Sequence, residues 1–333
     1  MHGLTAAPVD HHAQTTRTPR IPQRMNTAEK KRTPPKKNAV YDVDGSEHAV
    51  AQKVLEEIKR DVERRLNAQE LEIPSLPTVA SKLLQVSNDP AVGMEEIEKL
   101  IRADQFLAGK ILALVNSAFR GGRQISSLKN AVNLLGLRTL RDLTFSLSLH
   151  QKIFKAKRYA ELMEGNWTHS VGSALACSLI AERLKTEKES AFLCGLLHDI
   201  GCPVLLNSII QIEESLLEGK EIGVDCVEIL VSDFHELVGG YVGKRWNLAP
   251  NAIEVIRNHH DPGRSHEHQT LTTIVYCGDK IAEHLGYGRE AKECTFTLDR
   301  WFHQLGLAEQ STIDEILEAT RAQTTAFIST FSH

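Results

Sequence analysis

Apolar residues recur at spacings of three and four along most of the chain, the signature of amphipathic helices. The first clear run is SEHAVAQKVLEEIKRDVERRL, which puts Val50, Val54, Leu55, Ile58, Val62 and Leu66 on one face. EIPSLP follows, where Pro74 and Pro77 fix an extended passage before TVASKLLQVSN resumes the helical period. DPAVG punctuates the chain, and MEEIEKLIRADQFLAGKILALVNSAF and SSLKNAVNLLGLRTLRDLTFSLSL then read as short amphipathic helices broken at Gly or Asp, with RGGRQI as the loop between them. Asn116 and Ser117, at the end of one such helix, are read as structural capping groups. From Trp167 onward the helix-length units are SVGSALACSLIAERL, SAFLCGLLHDIG, CPVLLNSIIQIEESLLEG, FHELVGGYVGKRW, APNAIEVIRNHH and LTTIVYCGDKIAEHLG. The last unit, STIDEILEATRAQTTAFISTF, places Thr312 and Glu315 at capping-box spacing.

Composition agrees with this pattern. Aromatic residues are only 5% of the chain, and the apolar 41% is mostly Leu, Ala, Ile and Val, a balance that suits helix packing. The fold class is therefore expected to be all-α, with an N-terminal helical bundle packed on a second helical bundle. No run of roughly 20 apolar residues stands out as a membrane span, and the first dozen residues lack the apolar core of a signal peptide. A cytoplasmic chain without membrane contact is expected. Six cysteines contain no C-x-x-C pair and most sit in apolar segments, which argues against both a disulfide framework and a zinc finger. Cys202 is read as an inert thiol.

Charge separates one region from the rest. Residues 1–40 carry eight Lys/Arg against two Asp/Glu, an excess of six positive charges in a chain of net −4, so the remainder carries −10. Five prolines and few large apolar residues lie in the same stretch, so residues 1–45 are expected to be a disordered, basic, Pro-rich tail. Such a tail offers one route to nucleic acid, ranked below protein contacts.

Polar residues that break the apolar units carry the candidate chemistry. His198 and Asp199 stand side by side in GLLHDIGC, where Gly201 can end a helix. His169 precedes one apolar run, His235 opens another, His259 and His260 end a third, and Asp279 interrupts IVYCGDKIA. An unpaired carboxylate buried in such a segment costs several kcal/mol, so Asp279 needs a partner. Imidazole and carboxylate together suit a divalent ion, Fe, Mn, Zn or Mg. His266, His268, His284 and His303 are read as surface or loop residues, and Leu193, Leu196, Leu197 and Ile200 as core.

The segments WTHS, GLLHDIG, FHELVGGYVGKRWNLAPNAIEVIRNHH and CGDKIA, taken together, resemble the HD superfamily of metal-dependent phosphohydrolases. The upstream IPSLPTVASKLLQVSNDP, LIRADQFLAGKILALVNSAF and ISSLKNAVNLLGLRTLRDL are similar to the HDOD domain, a bacterial signalling member of that superfamily, over about residues 70–290. The resemblance implies an N-terminal helical part at 46–155, an HD-like helical part at 156–290 and a C-terminal helical extension at 291–333. It places the H…HD…D ligand set on His169, His198, Asp199 and Asp279, and the additional histidines of the dinuclear HD-GYP branch on His235, His259 and His260, so that a mono- or dinuclear centre is expected. Asp199 is the candidate catalytic residue. Where HD-GYP proteins commonly carry a lysine after HDIG this chain has Cys202, and DPGRSHEHQT replaces the GYP-bearing loop. The implied function is a regulatory module acting through a signalling protein partner and keeping its metal site, with a metal-dependent phosphohydrolase or phosphodiesterase acting on a nucleotide or phosphoester as the alternative.

Overall fold

The computed structural model describes residues 45–87, 94–118, 127–154, 156, 158–288 and 291–329. All of them belong to one compact unit spanning Asn38–His333; the expected tail lies outside the described residues except for Gly45. Among the described residues there are fourteen α-helices and two short 3-10 turns, and no strand. The expected all-α class is the one observed.

The N-terminal helices are α1 (Gly45–Asn67), α2 (Thr78–Ser87), α3 (Met94–Arg102), α4 (Gln105–Ala118), α5 (Leu128–Leu135) and α6 (Leu137–Lys152). Ser127 caps α5 by accepting the Asn130 N–H, and Gly136, at φ +82°, makes the break between α5 and α6 that the sequence suggests. Asn116 donates from Nδ2 to the Leu112 carbonyl at 2.8 Å, the structural use expected of it. The extended EIPSLP passage is tied down by side chains of the later helices: Trp246 Nε1–H donates to the Pro74 carbonyl at 2.9 Å, and the Tyr241 hydroxyl to that of Gln69 at 3.0 Å.

The second set comprises α7 (Ala160–Leu184), α8 (Lys188–Leu197), α9 (Gly201–Leu216), α10 (Val224–Arg245), α11 (Pro250–Asn258) and α12 (Gln269–His284). Two helices are longer than the expected units. The helix bearing His235 begins at Val224, where Val227, Leu230, Val231 and Phe234 bury one face at spacings of three and four, and His235 therefore lies mid-helix rather than at a start. Likewise α7 begins at Ala160, which puts His169 inside it. Beyond α12 come a short α13 (Arg300–Gln304) and α14 (Gln310–Ile328), which packs on α7 and α4.

Two expectations need correction. Thr312 and Glu315 do not form a capping box: α14 starts two residues earlier, Thr312 is buried and accepts from Arg183 Nη2 at 2.9 Å, and Glu315 pairs with Arg183 Nη1 at 2.9 Å, so both tie α14 to α7. The stretch Lys188–Leu216 does reach membrane-span apolarity, with a mean hydropathy of 1.6 over an 18-residue window. It is not one straight helix, however, because residues 198–200 turn between α8 and α9, and 83% of that window is buried inside the fold.

Backbone proximity, secured by glycine, sets the positions of these helices. A Cβ on Gly201 would lie 2.0 Å from the His235 carbonyl oxygen and 2.7 Å from the Gly239 nitrogen, so only glycine lets α9 begin in contact with the backbone of α10. A Cβ on Gly278 would fall 2.3 Å from Cys177 Sγ and 3.0 Å from the Ser173 carbonyl, which fixes the approach of α12 to α7. Through these two contacts the turn at 198–200, α10, α7 and α12 meet around one point.

Candidate metal centre

All seven residues singled out in the sequence converge at that point. His169 comes from α7, His198 and Asp199 from the α8–α9 turn, His235 from α10, His259 and His260 from the end of α11, and Asp279 from α12. Asp199 is the hub: its Oδ1 lies 3.4 Å from His259 Nε2 and 3.6 Å from His235 Nε2, and its Oδ2 lies 3.6 Å from His198 Nε2 and 3.8 Å from His169 Nε2. Asp279 Oδ1 is 3.0 Å from His169 Nε2 and 3.8 Å from His198 Nε2. Six of the seven are buried; His260, with 44% of its side chain exposed, forms the open edge.

The outer nitrogens explain how the rings are aimed. His198 Nδ1 faces the Gly195 carbonyl at 2.7 Å, His235 Nδ1 that of Val231 at 2.8 Å, His259 Nδ1 that of Ile256 at 3.0 Å, and His169 Nδ1 that of Tyr287 at 3.3 Å. A carbonyl can only accept, so Nδ1 carries the proton in each ring and the neutral ring turns its Nε2 lone pair inward. This is the outer support a metal-ligating histidine needs.

Electrostatics shows what the inward-facing atoms lack. His169 Nε2 and His198 Nε2 stand 3.3 Å apart, lone pair against lone pair, a contact that is repulsive without a cation or proton between them. Among the described residues, Asp199 Oδ1, Asp279 Oδ2 and His259 Nε2 are buried and make no hydrogen bond. Buried polar groups are normally satisfied, so the orphaned acceptors on Asp199 and His259 call for a positive charge, while Asp279 Oδ2 has only the Lys280 ammonium, 3.3 Å away. Burial pushes His198 down to about 4 and His260 to about 3, keeping both rings neutral and able to ligate. Burial alone would raise Asp199, but His198, His259 and His235 outweigh it and hold the carboxyl well below its ordinary value. Asp279 is also held low, because His169 overcomes its burial. For His259, too, burial opposes the charged form, but Asp199 outweighs it and the ring moves upward, so a proton competes for the very lone pair a metal would use.

The donor set thus fits a divalent ion. Its ligand atoms fall into two overlapping groups, His169–His198–Asp199 and Asp199–His235–His259–His260, within each of which they lie no more than 4.8 Å from one another. Lys280, which the sequence reading passed over, sits beside the cluster with its Nζ 3.3 Å from Asp279 Oδ2. No periodicity signals it, since a lysine after a buried aspartate reads as a solvated charge. The other histidines stay out of the cluster, though two are more firmly held than a loop residue: His284 ends α12 with its ring 5.1 Å from that of Phe296, and His303 lies 2.7 Å from the Thr297 carbonyl through Nε2. His266 and His268 lie just before α12, where Glu254 Oε1 accepts their backbone N–H groups.

The architecture and the cluster together define an all-helical HD-type module. The HDOD domain family model matches residues 73–262, more than half of the chain, and the chain belongs to that family. An uncharacterised protein of Treponema pallidum (strain Nichols) is 27% identical over 215 residues, 61% of this chain, and the chain spans 41% of that relative's length. Among solved structures, an HDOD domain protein of unknown function from Geobacter sulfurreducens is 25% identical, with a TM-score of 0.57 over 81% of this chain and 95% of that one. A candidate metal-dependent phosphohydrolase from Shewanella amazonensis SB2B is 19% identical, with a TM-score of 0.64 over 82% of this chain and 99% of that one, a likeness of fold. The family match ends before Asp279, so α12 brings its carboxylate to the centre from beyond the matched stretch.

Proposed function

We propose that this chain is a regulatory HDOD module built around a retained HD-type metal centre and acting through protein contacts. The observation that carries the reading is the set of buried, unsatisfied acceptors on Asp199, Asp279 and His259, surrounded by histidines whose Nδ1 atoms face carbonyls. His169, His198, Asp199 and Asp279 would hold one ion; Asp199, His235, His259 and His260 would hold a second, with Asp199 shared through its two oxygens. Fe, Mn, Zn and Mg all suit this mixture of imidazole and carboxylate, with the nitrogen-rich half favouring the first three.

A cleft of about 1280 Å³ lies between α2, α6, α8 and the α10–α11 connection, and in this reading it is where a partner would dock. It is lined by apolar groups such as Leu84, Phe145 and Leu248 and by charges of both signs, including Arg141, Asp142, Lys188 and Glu189, and it lies apart from the seven-residue cluster. A cytoplasmic location belongs to the same proposal, and binding of nucleic acid through the basic N-terminal stretch is a lesser one, tested by deleting residues 1–45 and measuring salt-dependent binding.

One observation favours the enzymatic reading. His260 opens the cluster to solvent, so a phosphoester could reach it, and a divalent ion there would supply Lewis acidity. Asp199 would then orient the reacting groups. Elemental analysis of the purified chain and of Asp199→Ala tests the centre. Metal in the wild type that is lost from Asp199→Ala supports it; equal metal in both sinks the assignment. Metal-dependent turnover of a cyclic dinucleotide or other phosphoester, eliminated by Asp199→Ala, would replace the regulatory reading with the enzymatic one.

A further inference from the structure

At the mouth of the cluster one carboxylate serves two masters. Lys280 follows Asp279 on α12 with its ammonium 3.3 Å from Asp279 Oδ2 and 2.7 Å from Glu283 Oε2, and the other oxygen of Glu283 is held by Lys292 Nζ at 2.8 Å. The Lys280 side chain is 24% exposed and its Nζ stands 5.7 Å from the centre of the Tyr276 ring, so it is partly withdrawn from water and not free to swing away. The oxygens of Asp279 are thereby divided. Oδ1 turns inward to His169 and His198, while Oδ2 makes no hydrogen bond and faces Lys280 and, at 3.9 Å, His260 Nδ1.

We propose that Lys280 is a positioning residue that holds Asp279 Oδ2 and weakens the centre's grip on a divalent cation. The inference rests on the metal-centre reading. Two cations drawing on one buried carboxylate repel each other, and at this depth water screens that repulsion only in part. Glu283 opposes the effect by drawing the ammonium outward, and Lys292 limits how strongly it does so. The order Asp279, Lys280, Glu283, Lys292 is thus an alternating chain of charge that leads from the centre to the surface.

The test is calorimetric titration of the metal-depleted full-length chain with Mn²⁺ and with Zn²⁺. Lys280→Met is expected to tighten binding by about tenfold or more, the size of effect a nearby unit charge exerts at a partly buried site. Lys280→Arg, which keeps the charge, should retain the weaker wild-type affinity, and Glu283→Gln should loosen binding several-fold by leaving the ammonium on Asp279. A merely structural ion pair would lower the melting temperature of Lys280→Met without tightening metal. Affinity in Lys280→Met equal to or weaker than wild type overturns the proposal. If circular dichroism shows that Lys280→Met does not fold, Glu283→Gln decides: looser binding supports the proposal and unchanged binding overturns it. A wild-type chain that takes up neither metal overturns the centre itself, whereas a wild type that binds beside an unchanged Lys280→Met overturns only the role of Lys280.

Discussion

Glu213 and Asp199 are both carboxylates taken out of water, and the fold treats them in opposite ways. Glu213, on α9, is fully buried, with each oxygen provided for: Oε1 accepts from the Tyr159 hydroxyl and from the Ile222 N–H at 2.8 Å, and Oε2 accepts from Arg158 Nη1 at 2.7 Å. That cluster binds the chain entering α7 to the end of α9 and is complete without any further group. Asp199 has four histidines within 3.8 Å, yet its Oδ1 makes no hydrogen bond among the described residues. A buried charge whose partners are all in place is architecture, and one left short of partners marks where something else is to bind.

Mutations can break this contrast. The largest stability loss is expected for Glu213→Ala, which strands the Tyr159 hydroxyl and leaves Arg158 only its looser pairing with Glu221 at 3.3 Å: about 3 kcal/mol, read from denaturant unfolding of the metal-free chain. Gly201→Ala comes next, at about 2 kcal/mol, because its methyl group meets the His235 carbonyl, and the same clash should weaken metal uptake by moving Asp199 and His235 together. Asp199→Ala should change the stability of the metal-free chain by less than about 1 kcal/mol, since no satisfied hydrogen bond is lost at Oδ1, while removing its metal in elemental analysis. Equal destabilisation by Glu213→Ala and Asp199→Ala would erase the distinction. The smallest effect belongs to His260→Ala, on the exposed edge: stability within about 0.5 kcal/mol and loss of at most the second ion.

The site was more legible in the sequence than the elements that carry it. Asp279 stood out because a carboxylate in IVYCGDKIA needs a partner, and the HDIG segment announced a helix break beside a glycine; both signals are local and chemical. Periodicity marks α1 and the α5–α6 break, and the first half of α10 was legible as well, since Val227, Leu230, Val231 and Phe234 lie on one face at spacings of three and four although the expected unit begins only at Phe234. Glu213 was not legible at all, since nothing in IEESLL separates it from Glu214; its partners Arg158 and Tyr159 lie more than 50 residues away and only the fold joins them. Lys280 escaped for the same reason: its importance lies in the buried oxygen it faces.

The position of Asp279 also bears on how the centre is made. His169 leaves the ribosome about 110 residues ahead of Asp279, an interval of roughly 5 to 22 s at ordinary rates of synthesis of about 5–20 residues per second. Over about the last 80 residues of that interval, from Asp199 to Asp279, the residues His169, His198 and Asp199 are all present without the carboxylate that completes their set, and α7 has neither α12 nor α14 against it. Under the proposed reading, the set that needs Asp279 can take its ion only after α12 has been made, whereas Asp199, His235, His259 and His260 are all present about 20 residues earlier, so the two halves of the centre become available in sequence.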